Sequence, residues 1–137
     1  MARFNISALD HVAIGVADVE RSCAFYARVL GFERLFPEWD MPVFMGTDGF
    51  GLAIFHESVH PSPTPADGEP QAVRILHFAF RVDRVGFDAA KRELAGEDFK
   101  LTVSDHGLSH SLYFRDPDGH LIELKQYGTD AHGEPTA

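Results

Sequence analysis

Histidine is the residue type that first suggests chemistry in this chain, with eight copies against a single cysteine in 137 residues. Two of them, His11 and His77, and one carboxylate, Glu123, fall in short runs that alternate bulky apolar with small or polar side chains. In a period-2 run, alternate residues share one face of a strand. Val12, Ile14 and Val16 form the bulky side of the first run, opposite His11, Ala13 and Gly15. Phe78, Phe80 and Val82 do the same in the second, opposite His77, Ala79 and Arg81, and in the third Ile122 and Leu124 oppose Glu123 and Lys125. Two neutral imidazoles and one carboxylate presented to one ion leave about three positions open on an octahedral divalent metal such as iron(II). Taken singly, each of the three also reads as an ordinary hydrogen-bonded strand residue. The matching places of the two histidines in an internal repeat are what favour a metal site.

The elements that must position these residues repeat along the chain. Leu9–Val16 and Leu76–Val82 read as strands, each followed by an acidic residue, Asp18 or Asp83, at a helix start. Val19, Cys23, Tyr26 and Leu30 then recur at the spacing of one buried helix stripe, as do Phe87, Ala90 and Leu94, with Gly31 and Gly96 at the expected stops. Three short extended runs follow in each half: 32–36, 43–45 and 52–56, then 99–103, 111–115 and 121–127. The pattern predicts an α+β fold of two βαβββ modules, 6–57 and 73–127, whose sheets form a cup around a metal site. A proline-rich linker over 58–72 joins them, and 128–137 reads as a flexible tail, the whole making one domain. Trp39, Phe44, Met45 and Phe50 read either as the wall of an apolar pocket or as core.

Composition narrows the function classes. With 21 acidic and 12 basic residues the formal net charge is −9, which predicts no binding to nucleic acid or to anionic membrane surfaces. The lone Cys23 excludes an internal disulfide framework and fits a reducing compartment, and neither a signal-like segment nor a membrane-length apolar run is seen. A cytoplasmic protein acting on a small molecule is the expectation.

Four stretches carry a resemblance to a known family: Leu9-Asp10-His11-Val12, Phe25-Tyr26 with Val29-Leu30-Gly31-Phe32, Leu76–Phe80, and Ser111–Leu124. Over nearly the whole span from Leu9 to Tyr127 the chain resembles the vicinal oxygen chelate superfamily, which includes glyoxalase I, extradiol dioxygenases, fosfomycin-resistance thiol transferases and bleomycin-binding proteins. The resemblance implies paired βαβββ modules and a divalent metal held by His11, His77 and Glu123. Iron(II) is favoured, with manganese, nickel or zinc as the other ions, and a homodimer is the inherited expectation.

The last third is most similar to the extradiol dioxygenases. His106, Leu112-Tyr113, the turn Asp116-Pro117-Asp118-Gly119 and Glu123 follow their signature. The resemblance implies His106 and Tyr113 as catalytic residues that hydrogen-bond the reacting oxygens and move protons. Read from the residues alone, His106 is equally a solvated loop histidine and Tyr113 a wall aromatic. One departure is the absence of a histidine near Gly51, where those enzymes carry a second one, so that His56 or His60 would have to substitute. The alternatives are a glyoxalase I-like isomerase or lyase on a thiol adduct, and a resistance protein of the fosfomycin or bleomycin type. The fourth glutamate of glyoxalase I falls near Phe55, with His56 and Glu57 beside it. For a phosphonate substrate only Arg81, Arg115 and Lys125 lie near the ligands in sequence. The bleomycin-binding members resemble the fold without its metal ligands, whereas here all three places are filled.

Overall fold

Each half of the chain builds a helix whose start is set by its own side chain. The Asp18 carboxylate accepts a hydrogen bond from the Arg21 amide at 3.0 Å, capping α1 (Val19–Leu30), and Asp83 accepts one from the Gly86 amide at 2.7 Å, capping α2 (Arg84–Ala95). Each bond satisfies one of the amides that a helix start leaves without an intrahelical partner. Gly31 ends α1 in the left-handed region at φ 67°, which a residue without Cβ adopts at little cost. The computed structural model describes residues 4–59, 75–96, 100–105, 107 and 109–128. Residues 60–72 of the expected linker, 129–137 of the expected tail, and His60 and His106 lie outside them.

The chain divides into two compact units, Met1–Pro65 and Ala66–Ala137. The first contains β1 (His11–Val16), α1, β2 (Glu33–Leu35), β3 (Val43–Thr47) and β4 (Phe50–His56), and its sheet runs β1-β4-β3-β2. The second contains β5 (Phe78–Arg81), α2, β6 (Thr102–Asp105), β7 (Ser109–Arg115) and β8 (Leu121–Tyr127), in the order β5-β8-β7-β6. In both, the opening strand pairs parallel with the last and the remaining pairs are antiparallel. These are two βαβββ modules of an α+β fold, as the repeat in the sequence predicts. Among the described residues no helix is long and apolar enough to cross a membrane.

Each helix covers the bulky face of its own sheet. In the first unit Ile14, Val16, Leu52 and Ile54 are buried with Phe25 and Tyr26 of α1; in the second Leu112, Phe114, Ile122 and Leu124 are buried with Phe87 and Leu94 of α2. The stripe of α1 is rotated from the expected one. Ser22, Phe25 and Tyr26 are its buried residues, while Val19, Cys23 and Leu30 are half-buried. Large aromatic rings claim the centre of the interface because they bury more area per residue. β4 also begins two residues earlier than alternation suggests. Gly51 pairs with Gly46 across the hairpin, and a Cβ on Gly46 would lie 2.3 Å from the Phe50 carbonyl oxygen and 2.7 Å from the Gly51 Cα. Two glycines therefore continue a ladder where a sequence reading places a break.

Candidate functional site

The helix-free face of the second sheet gathers polar side chains around one buried carboxylate. Glu123, on the central strand β8, is 4% exposed. Register puts Ala79 on one side of it and Tyr113 on the other. The small Ala79 leaves room for His77, whose Nε2 lies 3.0 Å from Glu123 Oε2. The other oxygen, Oε1, accepts from the Ser111 hydroxyl at 2.6 Å and from the Tyr113 hydroxyl at 3.3 Å, with Lys125 Nζ at 3.8 Å. The Tyr113 ring meets the His77 ring edge-on, with centroids 6.0 Å apart. Burial alone pushes the Glu123 carboxyl up. The hydrogen bond from Ser111, the charges of Lys125 and His77 and the bond from Tyr113 together outweigh it and hold the carboxyl below its ordinary value. The group is thus a prepared anion with one oxygen engaged and the other turned toward an imidazole nitrogen.

That arrangement suits a metal. A separation of 3.0 Å between Nε2 and Oε2 matches two adjacent ligand atoms around an ion with bonds of about 2.1 Å. Ser111 and Tyr113 on Oε1 fix the carboxylate's rotation, as partners behind a metal ligand do. Within neither unit do three His, Cys, Asp or Glu side chains of the described residues form a complete cluster. The second unit supplies the pair His77–Glu123.

The first unit holds the same positions with different chemistry. His11 opens β1 as His77 precedes β5, and Ala13 pairs with Ala53 as Ala79 pairs with Glu123. Phe44 pairs with Ala53 as Tyr113 pairs with Glu123, and its ring meets His11 edge-on at 5.1 Å. The fourth-ligand place in β4 is therefore Ala53, not Phe55. Glu57 lies beyond the end of β4, and His56 is tied to Ser58 through an Nδ1–Oγ contact of 2.6 Å. The difference comes from register, because Ala13, the counterpart of Ala79, pairs with Ala53 rather than with Phe55. The Asp10 carboxylate lies 2.6 Å from His11 Nδ1. A proton held there leaves Nε2 with the lone pair that a metal needs.

Next to His11 the same sheet carries an aromatic group. Phe36 stacks on Trp39 at 5.0 Å, and both rings meet Phe44 edge-on, at 5.5 and 5.6 Å. Phe44 is buried, but Phe36 and Trp39 are 48% and 50% exposed, and Phe36 holds a positive φ of 51°. A non-glycine residue in that region carries backbone strain, and such strain clusters at functional sites. Of the four aromatic-pocket candidates, Met45 is core and Phe50 packs on Phe32.

The structure thus brings together His77, Glu123 and Tyr113 in one unit and sets His11 at the equivalent place in the other; His106 lies outside the described residues. His110 faces α2, near Phe87, as its parity with respect to Tyr113 predicts. Sequence reasoning missed Ser111, Asp10 and Phe36. Ser111 was accessible by counting, since it shares the parity of Tyr113 two residues on. Phe36 follows a strand in an irregular segment and gives no periodic signal.

Comparison with known proteins agrees with the paired-module fold. The model of the Glyoxalase/Bleomycin resistance protein/Dioxygenase superfamily matches residues 8–124. The chain is 23% identical over 119 residues to the glutathione transferase FosA of Serratia marcescens, covering 87% of this chain and 80% of that protein. It is 29% identical over 117 residues to the catechol-2,3-dioxygenase of Bacillus subtilis (strain 168), covering 85% of this chain but 40% of the relative. The crystal structure of lactoylglutathione lyase from Agrobacterium tumefaciens superposes with a TM-score of 0.68 at 26% identity, covering 88% of this chain and 94% of that one. Repeated modules and a family match across most of its length together place the chain in the Glyoxalase/Bleomycin resistance protein/Dioxygenase superfamily.

Proposed function

We propose that the protein is a metal-dependent enzyme of this superfamily, most like a small extradiol-type dioxygenase acting on a catechol-like molecule. The observation that carries the reading is the buried Glu123 carboxylate, locked through Oε1 by Ser111 and Tyr113 and turned through Oε2 to His77. His77 and Glu123, with His11 as the third ligand that the family resemblance implies, would hold a divalent ion, iron(II) in this reading. When bound, such an ion supplies Lewis-acid activation of a diol and a site for dioxygen.

The chain's own residues do the rest. Ser111 fixes the carboxylate, and Asp10 orients His11. The Tyr113 hydroxyl, 3.3 Å from Glu123 Oε1, would hold or return a proton, and His106 is the second proton carrier in this proposal. Phe36, Trp39 and Phe44 offer an aromatic surface beside His11, which suits a planar ring. Ring cleavage would insert both atoms of dioxygen and break the carbon–carbon bond next to the diol.

A second reading, a glyoxalase-type isomerase or lyase, is supported by the fold similarity to a lactoylglutathione lyase. Ala53 at the place of a fourth ligand weighs against it. A resistance protein that transfers a thiol, as the relative FosA is named to do, has the same ligand set available.

Metal analysis after purification without chelator separates these. The expected result is bound iron that His77→Ala and Glu123→Gln remove, and a yellow ring-opened product when the anaerobically iron-loaded protein meets catechol and oxygen. Turnover of a hemithioacetal with nickel or zinc and no oxygen uptake selects the second reading. No stoichiometric metal, together with an activity indifferent to His77→Ala, overturns the enzyme reading altogether.

A further inference from the structure

The helix-free face of the second sheet carries a second chemical feature one step beyond Glu123. Arg81 pairs in register with Lys125, as Ala79 pairs with Glu123. The Arg81 guanidinium carbon lies 4.7 Å from the centre of the Tyr127 ring, and Lys125 Nζ lies 5.6 Å from the same ring. Both cations are thus held near one aromatic ring, in a chain whose net charge is −9. Among the described residues no carboxylate pairs with Arg81, and the carboxylate near Lys125 is Glu123, at 3.8 Å. Glu123 is already committed to Ser111, Tyr113 and His77. Arg81 is thus a cation with no carboxylate of its own, register-paired with a lysine whose carboxylate is already shared, and an arriving anion is attracted to both.

We propose that Arg81 and Lys125, braced by Tyr127, form a subsite for a carboxylate on the substrate. The planar guanidinium offers a two-pronged fit to a carboxylate, and the ammonium adds a point charge beside it. The position of the other end of the substrate rests on the metal-site reading above. The strand step from Glu123 to Lys125 is about 6.6 Å, and Lys125 Nζ itself lies 3.8 Å from Glu123 Oε1, so the basic pair borders the carboxylate. A catechol carrying a ring carboxylate opposite its diol, such as 3,4-dihydroxybenzoate, would bring its two polar ends to these neighbouring places. The substrate class is therefore an anionic catechol rather than a neutral one. The first unit carries no such pair, since the equivalent positions are Gly15 and Phe55.

The test uses the full chain in two arms. In the iron-loaded protein, 3,4-dihydroxybenzoate is expected to bind about tenfold more tightly than catechol, and Arg81→Gln or Lys125→Gln to bring that ratio toward one, with Arg81→Lys retaining part of it. In the chelator-treated protein, benzoate is compared with neutral benzamide and with phenylphosphonate by ligand-detected NMR. Benzoate should bind best, and the two glutamine variants should abolish the preference. This second arm is independent of metal, so loss of catechol binding with the benzoate preference intact sinks the metal site and leaves the carboxylate subsite standing. A benzoate-to-benzamide ratio near one, a ratio that neither glutamine variant changes, or stronger binding of phenylphosphonate overturns the subsite.

Discussion

At the scale of single residues, the candidate site shows how neighbours prepare a buried carboxylate. Glu123 is held anionic despite burial because Ser111, Lys125, His77 and Tyr113 converge on it. Replacing Ser111 with Ala removes the shortest of those bonds and frees the carboxylate to rotate. Metal affinity, read by competition with a chelator, should fall about 10- to 100-fold. A second residue-scale prediction concerns the turn before β8. Asp116 is buried, accepts from the amides of Asp118 and His120, and lies 2.8 Å from His120 Nδ1. The hydrogen bond to Asp116 raises the His120 pKa above its ordinary 6.5, partly opposed by burial. A raised folded-state value means that the stabilisation is complete below pH 6.5 and is lost as pH rises through the folded value. The difference in thermal stability between the parent and His120→Gln should thus be about 1 kcal/mol at pH 6 and shrink toward pH 9. A difference that grows with pH would refute this.

At the scale of elements, caps and glycines decide whether the strands reach the register that the site needs. Asp18→Ala removes the cap of α1 and should cost about 1 kcal/mol in urea denaturation, with the midpoint lowered and the slope unchanged. Gly46→Ala is the harsher change. Its Cβ would meet backbone atoms of Phe50 and Gly51, which cannot swing aside as a side chain can. A loss of about 2–3 kcal/mol is expected, together with a changed environment for Phe44, which pairs with Ala53 farther along the hairpin. Tryptophan fluorescence should report it, since Trp39 contacts that ring. These two elements also show how far periodicity carries. The helix starts at Asp18 and Asp83 are local events, set by a side chain three residues from its amide. The start of β4 depends on two glycines meeting across a hairpin, which no alternation rule registers.

At the scale of the whole molecule, the duplicated module is used asymmetrically. Both copies present a histidine at the same place, but one surrounds it with Ala53, Phe44, Phe36 and Trp39 and the other with Glu123, Tyr113 and Ser111. One copy offers apolar surface and the other a buried carboxylate flanked by hydroxyls. Metal analysis should therefore find one ion per chain rather than two, and His11→Ala should lower that content as His77→Ala does. Two ions per chain, or content indifferent to His11, would contradict the proposed ligand set.

The sequence by itself determined the repeat, both helix starts and stops, the faces of the strands, and the placing of His77 and Glu123 on the side away from the helix. Those features depend on residues close in sequence or on parity along a strand, which three- to four-residue and two-residue periods encode directly. Only the tertiary structure decided that Ala53 rather than Phe55 matches Glu123, that Ser111 holds the carboxylate, and that Arg81 and Lys125 share the Tyr127 ring. Each of these rests on register between strands distant in the chain. Register is set by packing and by close glycine contacts, and a slip of two residues leaves every face assignment intact while changing every partner. The eight histidines that mark the chain are sorted by the same logic. His77 is tied to Glu123, His120 to its turn, and His110 faces the helix, distinctions of position that composition alone does not carry.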